Sequence, residues 1–277
     1  MLDIIMDSVI DTLKIIPYLF ITFLILEGIE HKLNQKNKNA ISKYQKVGPI
    51  LGGILGGFPQ CGFSAMASSL YTGKVITMGT LIAIFLSTSD EMLPVMIGEH
   101  IKFVTILNII LLKVIIGIIV GLIVDLLIKN KIEHTHIGEI CEHDHCDCEK
   151  GIIPSSMIHT GKTMIFILVA NIIIGTVIHF IGIDQLSNVL KSNNIIVYFL
   201  SSLIGLIPNC AASIVITKVY ISNLIPTGVA LSGLLTGSGI GIMLLFKSNK
   251  SLKENMTILS IIYITGVIIG FIIDLII

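Results

Sequence analysis

Charge is what this sequence has least of. Only 13% of its 277 residues are charged, while 53% are hydrophobic; an ordinary soluble domain carries about 25% charged residues. Arginine is missing altogether. All 18 basic residues are lysine, balanced by 18 acidic ones, and a net charge of zero gives no footing for a nucleic-acid partner. A basic leader is missing too. The N-terminus carries Asp3, Asp7 and Asp11, and the first apolar run ends in Glu27 and Glu30 without a small-residue cleavage site, which reads as a first transmembrane helix and not a signal peptide. No Gly-x4-Gly-Lys loop is present, so ATP is not the expected energy source. The Gly237-Ser238-Gly239-Ile240-Gly241 stretch lacks the βαβ setting of a nucleotide loop. The absence of His-Glu-x-x-His argues against an intramembrane metalloenzyme, and no enzyme activity is expected.

What is present is aliphatic. A helix needs about 20 residues to cross ~30 Å of hydrocarbon. Candidate runs are Ile15–Ile29, Ile50–Tyr71, Ile76–Ile97, Phe103–Ile128, Ile165–Ile183, Ile195–Tyr220, Leu224–Phe246 and Thr257–Ile277. The expected fold is an all-α integral membrane protein with about eight to ten membrane segments.

A shift of 149 residues, the spacing of Pro59 from Pro208, superimposes the sequence on itself without a gap. Pro59-Gln60-Cys61 then falls on Pro208-Asn209-Cys210. Ser64 falls on Ser213, Tyr71 on Tyr220, Gly79 on Gly228, Ser89 on Ser238, Gly117 and Gly121 on Gly266 and Gly270, and Asp125 on Asp274. Matching proline, cysteine, glycine and aspartate in one register is not a by-product of apolar composition. The expected organisation is a first membrane repeat over 1–128, a polar linker over 129–155 and a second repeat over 156–277.

Proline interrupts the second apolar run of each repeat, removing a backbone donor and freeing carbonyls that survive only within protein or along a wet cavity. Lysines concentrate on the cytoplasmic side of membrane proteins. Treating both Pro-broken runs as re-entrant places more lysines on one side than full crossings do. It also gives each repeat an odd number of crossings, so the repeats are expected to be inverted, an arrangement suited to alternating access. The glycine pairs Gly52/Gly56, Gly53/Gly57, Gly117/Gly121, Gly233/Gly237 and Gly266/Gly270 are expected to let helices pack closely.

Polar groups inside apolar runs single out a pathway. Ser87-Thr88-Ser89-Asp90-Glu91 puts two carboxylates inside one run, where each charge costs at least ~2.5 kcal/mol. Asp90 and Glu91 could bind a cation or carry protons; their counterparts, Gly239 and Ile240, cannot. The duplicated breaks add amide oxygens from Gln60 and Asn209, thiols from Cys61 and Cys210, and hydroxyls from Ser64, Ser89 and Ser213. Asp125 and Asp274 read as interfacial anchors, His179 as structural, and Lys113 and Lys218 as side chains that snorkel to the surface.

Of the five cysteines, three lie in the linker. His134, His136, Cys141, His143, His145, Cys146 and Cys148, with carboxylates between them, form a dense ligand set without zinc-finger spacing. Cysteine and histidine suit Zn²⁺, Cu⁺ or Ni²⁺, whereas the intramembrane oxygens suit a harder ion such as Mn²⁺.

Gly48-Pro49, Pro59-Gln60-Cys61-Gly62-Phe63-Ser64, Ser89-Asp90-Glu91-Met92-Leu93-Pro94, the His/Cys linker and Pro208-Asn209-Cys210-Ala211-Ala212-Ser213 together resemble the ten-helix heavy-metal exporters, relatives of the arsenic permeases. Some members of that family are labelled manganese transporters or arsenic efflux proteins. The resemblance implies five segments per repeat if each re-entrant run counts as two. It also implies a multi-pass protein of the cell membrane, in a prokaryote, exporting a metal ion. The resulting expectation is a proton-coupled secondary exporter with manganese as the favoured ion, no resident cofactor, and membrane lipid and the transported ion as partners. Zinc, nickel, copper and arsenic are alternative cargoes, the last as arsenite or an organoarsenical.

Overall fold

The computed structural model describes residues 47–57, 61–89, 92–128, 152–181 and 195–276, together with Leu190 and helical positions scattered between 9 and 24. Among the described residues there is helix but no strand. In chain order the helices are α1 (Gly48–Gly56), α2 (Cys61–Thr72), α3 (Met78–Ser87), α4 (Met92–Gly98), α5 (Phe103–Leu127), α6 (Ile152–Ile181), α7 (Ile196–Gly205), α8 (Cys210–Ile221), α9 (Thr227–Thr236), α10 (Ile240–Ser248) and α11 (Leu252–Ile276).

Two lengths of helix serve two purposes. α5 and α11 have 25 residues each, or about 37 Å at 1.5 Å per residue, long enough to cross a bilayer with tilt. Their outer faces are aliphatic and open: Phe103 is 72% exposed and Leu275 72%. In water such faces would drive aggregation; against lipid they need no cover. Met78–Gly98, Ser156–Ile173 and Thr227–Ser248 are also long and apolar enough to span, which gives five candidate spans with α5 and α11. By contrast, α1 and α2 have 9 and 12 residues and cover only about 14 and 18 Å, so neither crosses alone.

Helix bounds recur at the spacing seen in the sequence. α2, α3 and α5 start and end 149 residues before α8, α9 and α11, and α1 and α7 end at Gly56 and Gly205. Packing recurs as well. α3 lies on α5 and α9 on α11, while α1 and α7 lie on α3 and α9. Every residue of α3 is buried, as is Gly228 through Thr236 of α9. A helix apolar on all sides belongs at the centre of a bundle, and α3 and α9 touch there.

The two sets also exchange elements. α2 packs against α10 and α8 against α4. The α2–α10 contact is close because its residues are small: the Ser68 hydroxyl reaches the Gly241 carbonyl at 2.6 Å, and a Cβ on Gly241 would come within 2.8 Å of Ser64 and of the Phe85 ring. Met92 occupies the place of Gly241 in the α8–α4 contact. One buried cluster accordingly joins Met92, Met96 and Ile106 to Val215, Ile216 and Leu231. Another joins Phe85, Leu86 and Ile116 to Leu235, Ile258 and Ile262.

Glycine makes the α3–α5 and α9–α11 crossings possible. A Cβ on Gly79 would run into the Gly121 carbonyl, and one on Gly228 into the Gly270 carbonyl. On Gly117 and Gly266 it would meet the Ala83 and Ser232 carbonyls, at 2.7 Å in each case. Gly79→Ala and Gly228→Ala are each expected to destabilise the detergent-solubilised protein by about 1–3 kcal/mol, read as a lower melting temperature. Gly98→Ala, whose Cβ would meet nothing within 4 Å, is the control. Unchanged melting of both crossing variants would contradict these contacts.

Candidate transport site at two helix breaks

Four interruptions divide the short helices. Between α7 and α8 the chain passes through Leu206–Asn209, where Pro208 cannot continue a helix. Asn209 then caps α8, its amide oxygen accepting from the Ala211 N–H at 2.8 Å. The matching stretch 58–60, with Gln60, lies outside the described residues, and of Cys61 and Cys210 only the backbone is described. Both cysteines are the first residues of their helices.

The other two breaks were not foreseen from the sequence, which reads Ile76–Ile97 and Leu224–Phe246 as continuous. α3 ends at Ser87 and α4 begins at Met92; α9 ends at Thr236 and α10 begins at Ile240. Thr88 and Ser89 are buried at 1% exposure each, and the Ser89 hydroxyl donates to the Ser87 carbonyl at 3.2 Å. Asp90 and Glu91, which directly precede α4, lie outside the described residues. In the second break Gly239 adopts φ 53°, ψ −138°, a conformation that a residue with a Cβ rarely tolerates.

Lys113 joins these two breaks. The expectation that it snorkels is overturned: it is 1% exposed, and its ammonium donates to the Thr88 carbonyl and, at 2.8 Å, to the Leu234 carbonyl. Thr88 caps the C-terminus of α3, and Leu234 lies in the last turn of α9. The amide that would ordinarily bond to Leu234, that of Ser238, donates instead to Thr236, because the chain leaves the helix at Gly237. Helix C-termini carry partial negative charge and unsatisfied carbonyls. One buried cation thus satisfies two half-helix ends drawn from both sets. Lys218, in contrast, is exposed.

Of the remaining serines singled out in the sequence, Ser64 is buried on α2 against α10. Ser213 stands on α8 where a Cβ on Gly237 would approach its hydroxyl at 3.2 Å. The structure therefore places Ser213 beside the second break and Ser64 beside the start of α10. Asp125 and Asp274 bind the starts of other helices. They cap half-helices: Asp125 accepts from the Gly79 N–H at 2.8 Å and Thr77 Oγ1 at 2.6 Å, and Asp274 from the Gly228 N–H at 2.6 Å and the Tyr198 hydroxyl at 2.8 Å. Carboxylates at these N-termini complement the helix dipole. Among the described residues no three His, Cys, Asp or Glu converge on a common point. The linker ligands His134, His136, Cys141, His143, His145, Cys146 and Cys148, and the side chain of His179, lie outside the described residues.

Lys113 and the two aspartates were within reach of sequence reasoning. A lysine ten residues into a 25-residue helix cannot bring its ammonium to either interface with a four-carbon stem. Lys113→Met is expected to leave the Thr88 and Leu234 carbonyls buried without this donor, at about 1–3 kcal/mol per group. The solubilised protein should melt at a distinctly lower temperature. Melting equal to wild type would show that the ammonium does not tie the breaks together.

Comparison with known proteins agrees with this architecture. No curated protein and no solved structure matches the chain. Residues 1–185 match the family described as "Putative, 10TM heavy-metal exporter", a stretch that takes in α1 through α6 and the linker. Extending over more than half of the sequence, that match means the chain belongs to the family so described.

Proposed function

We propose that the chain is a secondary exporter of a divalent metal ion, with manganese the favoured cargo and protons the counter-ions. It works by alternating access between two inverted membrane repeats. The observation that carries this reading is the pair of broken helices, α3–α4 and α9–α10, whose ends are joined by Lys113. Discontinuous helices meeting within the membrane supply backbone dipoles and carbonyls to an ion, and transporters place their sites there. Membership of a heavy-metal exporter family supports the cargo class.

Asp90 and Glu91, immediately before α4, are the proposed ion and proton carriers. Gln60, Cys61, Ser64, Ser89, Asn209, Cys210 and Ser213 form the surrounding pathway. Export of a divalent ion against an inside-negative potential of 100 mV costs about 4.6 kcal/mol, at ~2.3 kcal/mol per charge. Two incoming protons balance that electrically. In this proposal the carboxyl groups of Asp90 and Glu91 exchange protons for the metal ion. The matched cysteines at the starts of α2 and α8 favour a second reading, an arsenite or organoarsenical permease in which the thiols contact arsenic. Metal and arsenic content of cells with and without the protein separates the two.

The linker is proposed to collect metal on the cytoplasmic face of the cell membrane. Replacing its seven histidine and cysteine ligands by serine is expected to weaken export at low metal concentration and spare the maximal rate. Complete loss of transport by a correctly inserted variant would make the linker part of the pathway. Asp90→Asn is expected to reduce Mn²⁺ efflux at least ten-fold and to flatten its pH dependence. Glu91→Gln should act in the same direction. Normal efflux by both single variants and the double variant across pH 6 to 8 would remove these carboxylates from the mechanism.

A further inference from the structure

Two turns with the same backbone differ in their chemistry. Lys74, between α2 and α3, adopts φ 57°, and its counterpart Asn223, between α8 and α9, adopts φ 55°. Each N–H donates three residues back, Lys74 to Tyr71 and Asn223 to Tyr220, both at 2.9 Å. Asparagine is at home at positive φ; lysine is not. What the lysine gains lies across the helix interface. Its ammonium stands 5.6 Å from the centre of the Tyr71 ring and 3.8 Å from the Glu254 carboxylate, in the first turn of α11. The two turns are separated by the length of α11, because Glu254 near its start meets the first and Asp274 near its end caps the helix that follows the second.

Glu254 is aimed at α2 and not along its own helix. Ser251-x-x-Glu254 has the spacing of a capping box, in which the glutamate side chain reaches back to the serine N–H. Half of the box forms, the Glu254 N–H donating to Ser251 Oγ at 3.4 Å. The other half is taken over by Asn249, whose amide oxygen accepts from the Ser251 N–H at 3.3 Å. The Glu254 carboxylate accepts instead from the Tyr71 hydroxyl at 3.1 Å and from the Asn249 amide at 3.2 Å. Asn255, fully buried, holds Asn249 in place by bonds of 2.8 and 3.1 Å. Tyr71 is 3% exposed, so its bond to Glu254 is shielded, whereas the half-exposed ion pair with Lys74 adds little. At the other turn the counterparts of Asn249, Glu254 and Asn255 are His100, Thr105 and Ile106. Among the described residues no side-chain hydrogen bond ties these to Tyr220 or Asn223.

We propose that the bond between Tyr71 and Glu254 is a clasp that holds the two sets of helices together at one end of the bundle, and that it releases when the helix breaks open toward that end. This rests on the reading of the chain as an alternating-access transporter. The clasped end is the one where α5 finishes and the 129–155 linker begins, since Asp125 in the last turn of α5 bonds Thr77 and Gly79, just beyond Lys74. The clasp joins α2 of the first set to α11 of the second. A single shielded hydrogen bond beside a weak ion pair is strong enough to bias two states and weak enough to break in each cycle. The opposite end has the same turn without the clasp, so the device favours one of the two closures over the other.

The test reads opening as thiol labelling of the full chain in sealed membrane vesicles of both orientations, without any metal. Ser238→Cys places the reporter in the second break. Ser238 is 1% exposed and its hydroxyl has no partner among the described residues, so the exchange costs no hydrogen bond. A membrane-impermeant methanethiosulfonate is added outside and the peptide carrying residue 238 is followed by mass spectrometry; labelling of Cys141, Cys146 and Cys148 marks vesicles whose linker face is outward. Tyr71→Phe and Glu254→Gln, each added to the reporter, should speed labelling from the linker face about five-fold, the population shift that loss of one hydrogen bond brings. Labelling from the other face should stay equal or slow down. Tyr220→Phe, the matching change at the unclasped turn, should leave the linker-face rate unchanged. A tie that only stabilises the α10–α11 turn would not alter labelling at residue 238. Unchanged rates in both clasp variants, or equal acceleration from the two faces, would overturn the proposal. Because no cargo is involved, a wild type that moves no Mn²⁺ would overturn the exporter reading while the labelling still decides the clasp.

Discussion

The structure turns on a lysine ammonium buried between the carboxyl ends of two half-helices. Placing a full charge in a low-dielectric interior is costly unless oxygens surround it. Lys113 finds two of them in Thr88 and Leu234, and each needs a donor because the helix it ends has been interrupted. The cost of breaking α3 and α9 and the cost of burying the lysine thus offset each other. The arrangement works only if three helices come close together. Lys113, Gly117 and Gly121 follow at four-residue intervals along one face of α5, and the two glycines bring that face onto the α3 backbone. The same crossing positions Asp125 to cap the start of α3.

Charge distinguishes the two sets of helices. The counterparts of Asp90, Glu91 and Lys113 are Gly239, Ile240 and Ile262, and Ile262 is fully buried. Each set supplies a broken helix, but the ionisable groups near the breaks come from one set alone, and the other contributes glycine and a bare hydroxyl. Backbone geometry is common to both, whereas chemistry is not.

Much of this was legible in the sequence. Apolar runs and the 149-residue register depend on composition and spacing, which survive folding. The glycine pairs Gly117/Gly121 and Gly266/Gly270 lie where close crossings occur, because a helix face without side chains has few other uses in lipid. The breaks after Ser87 and Thr236 were not legible. Neither contains proline, and Thr88-Ser89 and Gly237-Ser238-Gly239 are short enough to pass as polar residues within a span. The cue was Gly-Ser-Gly inside a run otherwise continuous in Ile and Leu, since two glycines cost a helix about 2 kcal/mol. The partners of Lys113 could not be read either, because they are backbone carbonyls, and backbone carries no sequence signal.

The exported ion is proposed to bind where the two broken helices meet. Anomalous diffraction from crystals of the full chain grown in Mn²⁺ tests it most directly. An anomalous peak is expected between residues 88–91 and 237–239. Manganese found only on the 134–148 linker, in a protein shown to export it, would contradict the account.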